Sequence, residues 1–378
     1  MPSKTRKAAA QASYQQGERK NLIYNGDMAI CQRAISVSGV GDTDTGYHVQ
    51  DRWGFVEAGT NSATVVTMSK STTTPDGFYS SLKMECTTPS GTLSADDLVL
   101  LQQVFEGQDL QSINKGDAQA KAITISFWVN TTQTGTYIVN LFDNDNTRVC
   151  SQSYTVSSSN TWEYKTVTFP PDTTGAFDND ENASLYVYWG LVCGTNYTSS
   201  GTLQETWAAN DNTNRFVGQV NAFASTSNLF HLTGVQMELG NTATDFQYES
   251  HKENLARCQR YFVAYGGTGT DSNDYVVVGS GVATATSGGW LEVNPPTPMR
   301  IRPSITFANM YLFDASNRTL ASIDYVSVED SATVYRPKTT LWLNAIRTNS
   351  TTDLTVGRGM QLYTDNAENS YFWMNADF

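Results

Sequence analysis

Histidine is nearly missing from this chain, with 3 in 378 residues. His48 lies near Asp51-Arg52-Trp53, His231 precedes an apolar strand, and His251 falls in the first turn of a helix. None has a serine or cysteine in a nucleophile setting, and G-x-S-x-G does not occur. A Ser-His-Asp or Cys-His mechanism has no residues to run on, so the three read as ordinary structural or surface histidines. A P-loop and a G-x-G-x-x-G ahead of a helix are missing too, which leaves nucleotide binding without support. The chain is expected to be non-enzymatic, with no cofactor.

Cysteine is sparse and scattered: Cys31, Cys86, Cys150, Cys193 and Cys258. No two stand close enough for a metal knuckle or a CxxC redox pair. They read as small buried apolar residues in a reducing compartment. No apolar window approaches the roughly 20 residues of a membrane span. The start, Met1-Pro2-Ser3-Lys4-Thr5-Arg6-Lys7, has no apolar run, so no signal peptide is expected and synthesis in the cytoplasm is. No repeat at a fixed period of about 20–50 residues is found, which argues against a solenoid or propeller.

Charge is low at 16% and hydrophobic content modest at 39%. Threonine, serine, asparagine and glycine fill the gap, a mixture of strand and turn formers. With 16 Phe, 8 Trp and 19 Tyr there is ample core material, so this is not a disordered composition. The formal net charge is −13. Residues 1–20 carry Lys4, Arg6, Lys7, Arg19 and Lys20 against Glu18, a net of +4, and the remainder therefore carries −17. Such a body repels a phosphate backbone, so nucleic-acid binding by the folded part is not expected. The basic arm has three readings: a contact to nucleic acid, a contact to an acidic protein socket, or a solvated terminus.

A chain of this length exceeds one hydrophobic core, and two folded domains are expected. Residues 21–250 read as a run of strands. In Ala122–Asn130, Ile123, Ile125, Phe127 and Val129 share one face, while Thr124, Ser126, Trp128 and Asn130 share the other. A second strand starts at Gly135, another follows Trp162 and stops at Pro170-Pro171, and Ser184–Leu191 is a fourth. This spacing predicts a two-sheet sandwich, with Trp162 in its core. Ser250-His251-Lys252-Glu253 has the form of a capping box. Leu255, Cys258 and Phe262 then make one apolar stripe of a short helix, which Gly266-Gly267 ends. The expected organisation is an arm (1–20), a jelly-roll domain (21–250), a connector helix (251–265) and a second β-sandwich domain (266–378), all-β apart from the helix.

Four segments together resemble one family of bacteriophage tail and virion-surface proteins: Asn21-Leu22-Ile23-Tyr24-Asn25-Gly26-Asp27; Tyr47 with Asp51-Arg52-Trp53; Gly234–Gly240 (GVQMELG); and Glu253–Phe262 (ENLARCQRYF). Leu101–Gly107 (LQQVFEG) matches the phage version of a jelly-roll module. Pro298-Met299-Arg300 with Pro303 approximates a further segment of the family, whereas Ala376-Asp377-Phe378 departs from its Ala-Glu-Leu-like end. The stretch 21–250 also resembles the jelly-roll carbohydrate-binding modules of glycosidases, through Phe127-Trp128, Gly135-Thr136-Tyr137, Trp162 and the return strand Tyr186–Leu191. The resemblance implies a structural virion protein, made in the host cytoplasm and placed on the virion surface. It covers two roles: a tail fibre or spike-type component contacting the host, commonly a trimer, and a capsid or tail decoration protein serving only assembly. In the first role the basic arm, through Lys4, Arg6, Lys7, Arg19 and Lys20, anchors the chain to other virion proteins.

Trp128, Tyr186 and Tyr188 project from the faces their own strands do not bury. If their strands share a sheet, they form a platform on which sugar rings stack. The other reading is packing under loops, a domain or a neighbouring subunit. Asp178, Asp180 and Glu181 cluster in a turn, as do Asp143 and Asp145. Asparagine-rich turns favour aspartate for its own backbone bonds; the same oxygens are Ca²⁺ candidates, and a glycosidase pair would need two carboxylates facing a sugar.

Overall fold

The computed structural model describes residues 21–41, 44–59, 64–90, 92–266, 276–286, 288–314, 321–322, 325–328, 341–346, 354–364 and 370–378. The basic arm, with Lys4, Arg6, Lys7, Arg19 and Lys20, lies outside them.

Two antiparallel sheets face one another across the N-terminal core. The first holds, in order, Ser36–Gly41 (β1), Val65–Ser71 (β4), Ser81–Thr88 (β5), Leu229–Leu239 (β13), Ile123–Thr131 (β7) and Glu163–Phe169 (β10). The second holds Ala208–Ala209 (β12), Arg148–Val156 (β9), Gly135–Asp143 (β8), Ala183–Cys193 (β11), Leu98–Glu106 (β6), Gly54–Ala58 (β3) and Gly46–Tyr47 (β2). This is the expected jelly-roll sandwich. The alternation in β7 sends Ile123, Ile125, Phe127 and Val129 inward, and β11 answers with Leu185, Val187, Trp189 and Leu191. Trp189 joins the layers, 5.3 Å from Trp53 and 5.9 Å from Phe127 between ring centres.

Strand β13 pairs with β5 only over Leu229–Leu232. Beyond that its free edge is taken by the segment from Asn21. Leu22 N–H donates to the Met237 carbonyl (2.9 Å), Val235 N–H to the Gly26 carbonyl (2.9 Å), and the Asn21 side chain receives Met237 N–H (3.0 Å) while giving to the Val235 carbonyl (3.2 Å). A bulge between Thr233 and Gln236, with Gly234 at φ +61°, turns these groups toward that segment. A buried strand edge is thus satisfied without a further strand.

The helix α1 (His251–Gln259) carries both halves of the capping box, Ser250 and Glu253. It is shorter than the expected connector 251–265. It ends at Arg260, and Phe262–Gly266 is already a strand (β14), so Phe262 belongs to a sheet rather than to a helical stripe. The helix buries Asn254 and Cys258; with a polar side chain in its buried face, the helix is held by hydrogen bonds as much as by apolar contact. The C-terminal region has a three-stranded sheet of β14, Tyr371–Asn375 (β23) and Ser304–Ala308 (β17). A seven-stranded sheet runs Ala321–Ser322 (β19), Met310–Asp314 (β18), Gly359–Thr364 (β22), Val277–Ala285 (β15), Gly288–Val293 (β16), Leu341–Ile346 (β21) and Tyr325–Val328 (β20). Their shared core includes Val263, Leu291, Met299, Leu312, Leu362 and Phe372.

The segments that carry the family resemblance converge where sandwich, helix and C-terminal sheets meet. Asn25 ties Ile30 and Asp51 together with its side chain and receives the Trp53 indole N–H on its carbonyl (3.1 Å). Arg260 forms two hydrogen bonds to the buried Glu106 (2.7 and 2.6 Å), which also accepts from Tyr261 (2.5 Å). Arg257 donates to the Ile23 carbonyl (2.7 Å). Arg300 binds the Ala376, Asp377 and Glu181 carbonyls and lies 4.0 Å from the centre of the Phe378 ring. The departing terminus Ala376-Asp377-Phe378 is therefore held by Arg300, with Arg33 and Arg52 on the Asp377 carboxylate.

Candidate functional site

The outer face of the six-stranded sheet is aromatic and uncharged at its centre. On β7 Trp128 points outward, and the register places Tyr164 of β10 directly across from it, with ring centres 5.4 Å apart. On the other side the register continues to Thr233 of β13. Trp162, one residue before β10, sits on the same face, edge-on to the His231 ring at 5.9 Å. Trp162 is half-buried, which corrects its expected place in the core: a two-residue period from Tyr164 puts it on the Trp128 side.

Gly234 shapes the middle of this face. A Cβ there would lie 2.6 Å from the Phe78 ring and 3.1 Å from Trp128. Only a bare Cα lets both rings close over the strand. Phe78 continues the strip to Phe246 (5.2 Å) and Tyr248 (5.6 Å). Tyr79 is 94% exposed, Tyr248 59% and Tyr164 46%, which is unusual for rings of this size. Lys83 and Glu85 pair with each other at 2.7 Å. Burial, reinforced by Lys83, lowers the His231 pKa to about 4, so the ring is neutral at pH 7. Beneath the rings, Thr233 and Ser81 are buried and donate to the Ser80 and Thr73 carbonyls (2.8 Å each), and Glu238 of β13, across from Thr124, adds a carboxylate farther along the face.

Tyr186 and Tyr188 are elsewhere. They lie on the outer face of the seven-stranded sheet, on β11, so the expected single platform with Trp128 does not form. The condition that fails is sheet membership, since β7 and β11 belong to opposite layers. The two tyrosines stack on each other (5.7 Å, 16° between planes), and Phe142 meets Tyr186 edge-on at 6.1 Å. Both are half-buried, and burial raises both phenol pKa values. The segment 194–222 covers part of this sheet: Phe216 packs where a Cβ on Gly190 would come within 2.8 Å.

The carboxylate clusters are used internally. Asp143 is fully buried against the Lys115 ammonium (2.5 Å), which also meets Asp172 (3.0 Å). Asp145 accepts the Asp178 backbone N–H (2.9 Å), and Asp180 accepts that of Asn182 (2.9 Å). Asp178, Asp180 and Glu181 do not assemble into a Ca²⁺ ligand set: among the described residues, no three His, Cys, Asp or Glu side chains are grouped to hold a metal. Among the described residues, no helix is long and apolar enough to cross a membrane.

Sequence reasoning found Trp128 from its alternation but did not single out Tyr164, which the register sets across from it. Phe78, Tyr79, Phe246 and Tyr248 stand in loops without period, and only the fold brings them to this face.

No family model matches the sequence, and no curated protein matches it. Among solved structures, the enzymatically active domain of bacteriophage CBA120 tailspike protein 4 is similar at 12% identity and TM-score 0.31, over 58% of this chain and only 21% of the tailspike chain. A CBM4 module is similar at 14% identity and TM-score 0.30, over 57% of this chain and 99% of the module. A xylan-binding domain from CBM 22 is similar at 10% identity and TM-score 0.30, over 60% of this chain and 99% of that domain. At such identities and scores these likenesses assign neither a ligand nor an activity.

Proposed function

We propose that this chain is a non-catalytic structural protein of a bacteriophage virion, of the tail fibre or spike type, that contacts host-surface glycan through the outer face of its six-stranded sheet. The observation that carries the glycan reading is the strip of exposed and half-buried rings around Trp128 and Tyr164. Pyranose rings present apolar faces that stack on such side chains, and hydroxyls that pair with amides and alcohols. The virion reading is supported by the resemblance of the segments at the domain junction. Anchoring through the basic arm and assembly as a trimer on the virion surface belong to the same proposal.

Stacking one or two sugar rings supplies only a few kcal/mol before binding entropy is subtracted. Attachment then depends on several copies acting together on one particle. Trp128→Ala and Tyr164→Ala should each abolish retention on host polysaccharide while leaving the thermal midpoint nearly unchanged. Full retention by both folded variants overturns the assignment.

A capsid or tail decoration protein with a purely assembly role is the second reading. It is favoured by one observation: the resembling segments are spent on internal contacts at the domain junction. A wild-type protein that binds no glycan from host cells but still joins particles would select it. Light scattering tests the trimer, whose mass is three times 41.5 kDa.

A further inference from the structure

Lys115 meets two buried carboxylates at once. Its side chain is 2% exposed, that of Asp143 0% and that of Asp172 5%. Nζ donates to Asp143 Oδ2 (2.5 Å) and lies 3.0 Å from Asp172 Oδ2. The carbonyls of Gly175 (2.7 Å) and Thr174 (3.0 Å) fix it in place. The rings of Phe177 and Trp207 lie beside it, centred 5.3 and 5.2 Å from Nζ.

The two carboxylates are set up differently. Asp172 has a second cation, Arg148, which donates to both its oxygens (2.8 and 3.1 Å). Burial pushes the Asp172 pKa up, but the hydrogen bonds from Arg148 and Lys115 outweigh this and hold it below the ordinary value. Asp172 therefore stays an anion. Asp143 has no ion-pair partner other than Lys115 among the described residues. It is bound instead by Asn146, whose backbone N–H and side-chain amide both reach Oδ1 (3.1 and 3.2 Å), the amide also reaching Oδ2 (3.0 Å). A buried ammonium–carboxylate pair is costly to hold, and transfer of one proton turns it into an amine beside a neutral acid. An amine touching a carboxyl, an anionic base on its other side and two N–H donors on the carboxyl oxygen are the parts that acyl transfer needs.

We propose that Lys115 and Asp143 condense to an intramolecular isopeptide bond, with Asp172 as the base. One proton passes from Nζ to Asp143 Oδ2, and the resulting amine attacks Cγ. As the Nζ–Cγ bond forms, negative charge builds on Oδ1, where the two Asn146 donors stabilise it. Asp172 takes a second proton from Nζ and delivers it to Oδ2. The Cγ–Oδ2 bond then breaks and one water leaves. Ammonium and carboxylate have become amide and water, Asp172 is regenerated, and no oxidant or cofactor is consumed. A site closed to solvent favours the loss of water. Each chain reacts once with itself, so this is self-modification rather than turnover. The bond ties the turn at Lys115 to the end of strand β8.

Intact-mass measurement on the full chain, purified folded and then denatured, tests this. The mass should fall below that of the sequence by one water. Trypsin should then release residues 84–121, uncut after Lys115, joined to residues 122–148. Lys115→Met and Asp143→Ala should each show the full mass of their sequence, and Asp172→Asn should leave most of the chain unlinked. If these variants fail to fold, the wild-type peptide map still decides, because it identifies both linked residues directly. Full mass in the folded wild type after prolonged warm incubation overturns the proposal. So does a deficit that maps to one linear peptide (a cyclic imide), a link to Asp172 in place of Asp143, or complete linkage in folded Asp172→Asn.

Discussion

The Arg52 guanidinium lies 3.5 Å from the centre of the Tyr261 ring, joining the start of the sandwich to the turn after helix α1. Arg52 has φ +71°, a backbone conformation uncommon outside glycine, and its side chain is almost wholly buried. Burial works against its charge, but Tyr47, Tyr261 and Asp377 around it hold it firmly protonated. Such a strained, buried cation persists only where its surroundings over-determine it. The contact between the sandwich and the segment after α1 is therefore charge-paired.

Glu106 is the other charge in that joint, bound by Arg260 and Tyr261. Burial pushes its pKa up, but the hydrogen bonds from Arg260 and Tyr261 outweigh this and hold it below the ordinary value. Glu106→Gln should cost about 2–3 kcal/mol, because the buried carboxylate loses a two-point pair with Arg260, whose own side chain stays 26% exposed. Denaturant unfolding followed by circular dichroism measures this, and a loss below about 1 kcal/mol would show the pair to be dispensable.

A methyl group at Gly26 would stand 2.2 Å from the Val235 carbonyl oxygen, a backbone atom that cannot swing aside. Gly26→Ala should therefore separate the Asn21–Asp27 segment from β13 and destabilise by about 1–3 kcal/mol or more. Faster amide exchange at Val235 and Met237 than in the wild type is the expected signature. Unchanged protection there would refute the packing argument.

Two buried groups oppose each other as pH changes. Burial raises the Asp51 pKa from 3.8 to about 6, so its contribution is complete below 3.8 and is lost as pH rises through about 6. Burial lowers His231 from 6.5 to about 4, so its contribution is complete above 6.5 and is lost as pH falls toward 4. Each amounts to about 3 kcal/mol at most. Between pH 6.5 and 4.5 the wild-type thermal midpoint should change little. Asp51→Asn should unmask a fall as the solution is acidified, and His231→Gln a rise. Parallel profiles for the three proteins would contradict the argument.

Residues 1–20 precede Asn21, whose side chain is the first to engage β13. Deleting them should leave the midpoint of thermal unfolding within about 2 °C of wild type, since the first residues of a chain usually contribute little stability. The truncated protein should fail to join particles; normal incorporation would show that Lys4, Arg6, Lys7, Arg19 and Lys20 do not anchor it.

What the sequence determined alone was local. Alternation in β7 assigned Ile123, Ile125, Phe127 and Val129 to the core and Trp128 to the outside, because a strand's side chains have a period of two whatever its partners. The capping box at Ser250 and Glu253 was legible for the same reason, since its hydrogen bonds span three residues. The end of α1 was not: Phe262 continues the apolar spacing of Leu255 and Cys258, but pairing of β14 with β23, more than a hundred residues away, drew it into a sheet. Nor could alternation say that Trp128 and Tyr186 occupy opposite layers, because the period of a strand carries no information about which sheet it joins. The extension of the outer aromatic face beyond Trp128 was decided by tertiary structure alone. It depends on loops from distant parts of the chain, carrying Phe78 and Phe246, being folded against a sheet whose strand order only the complete core selects.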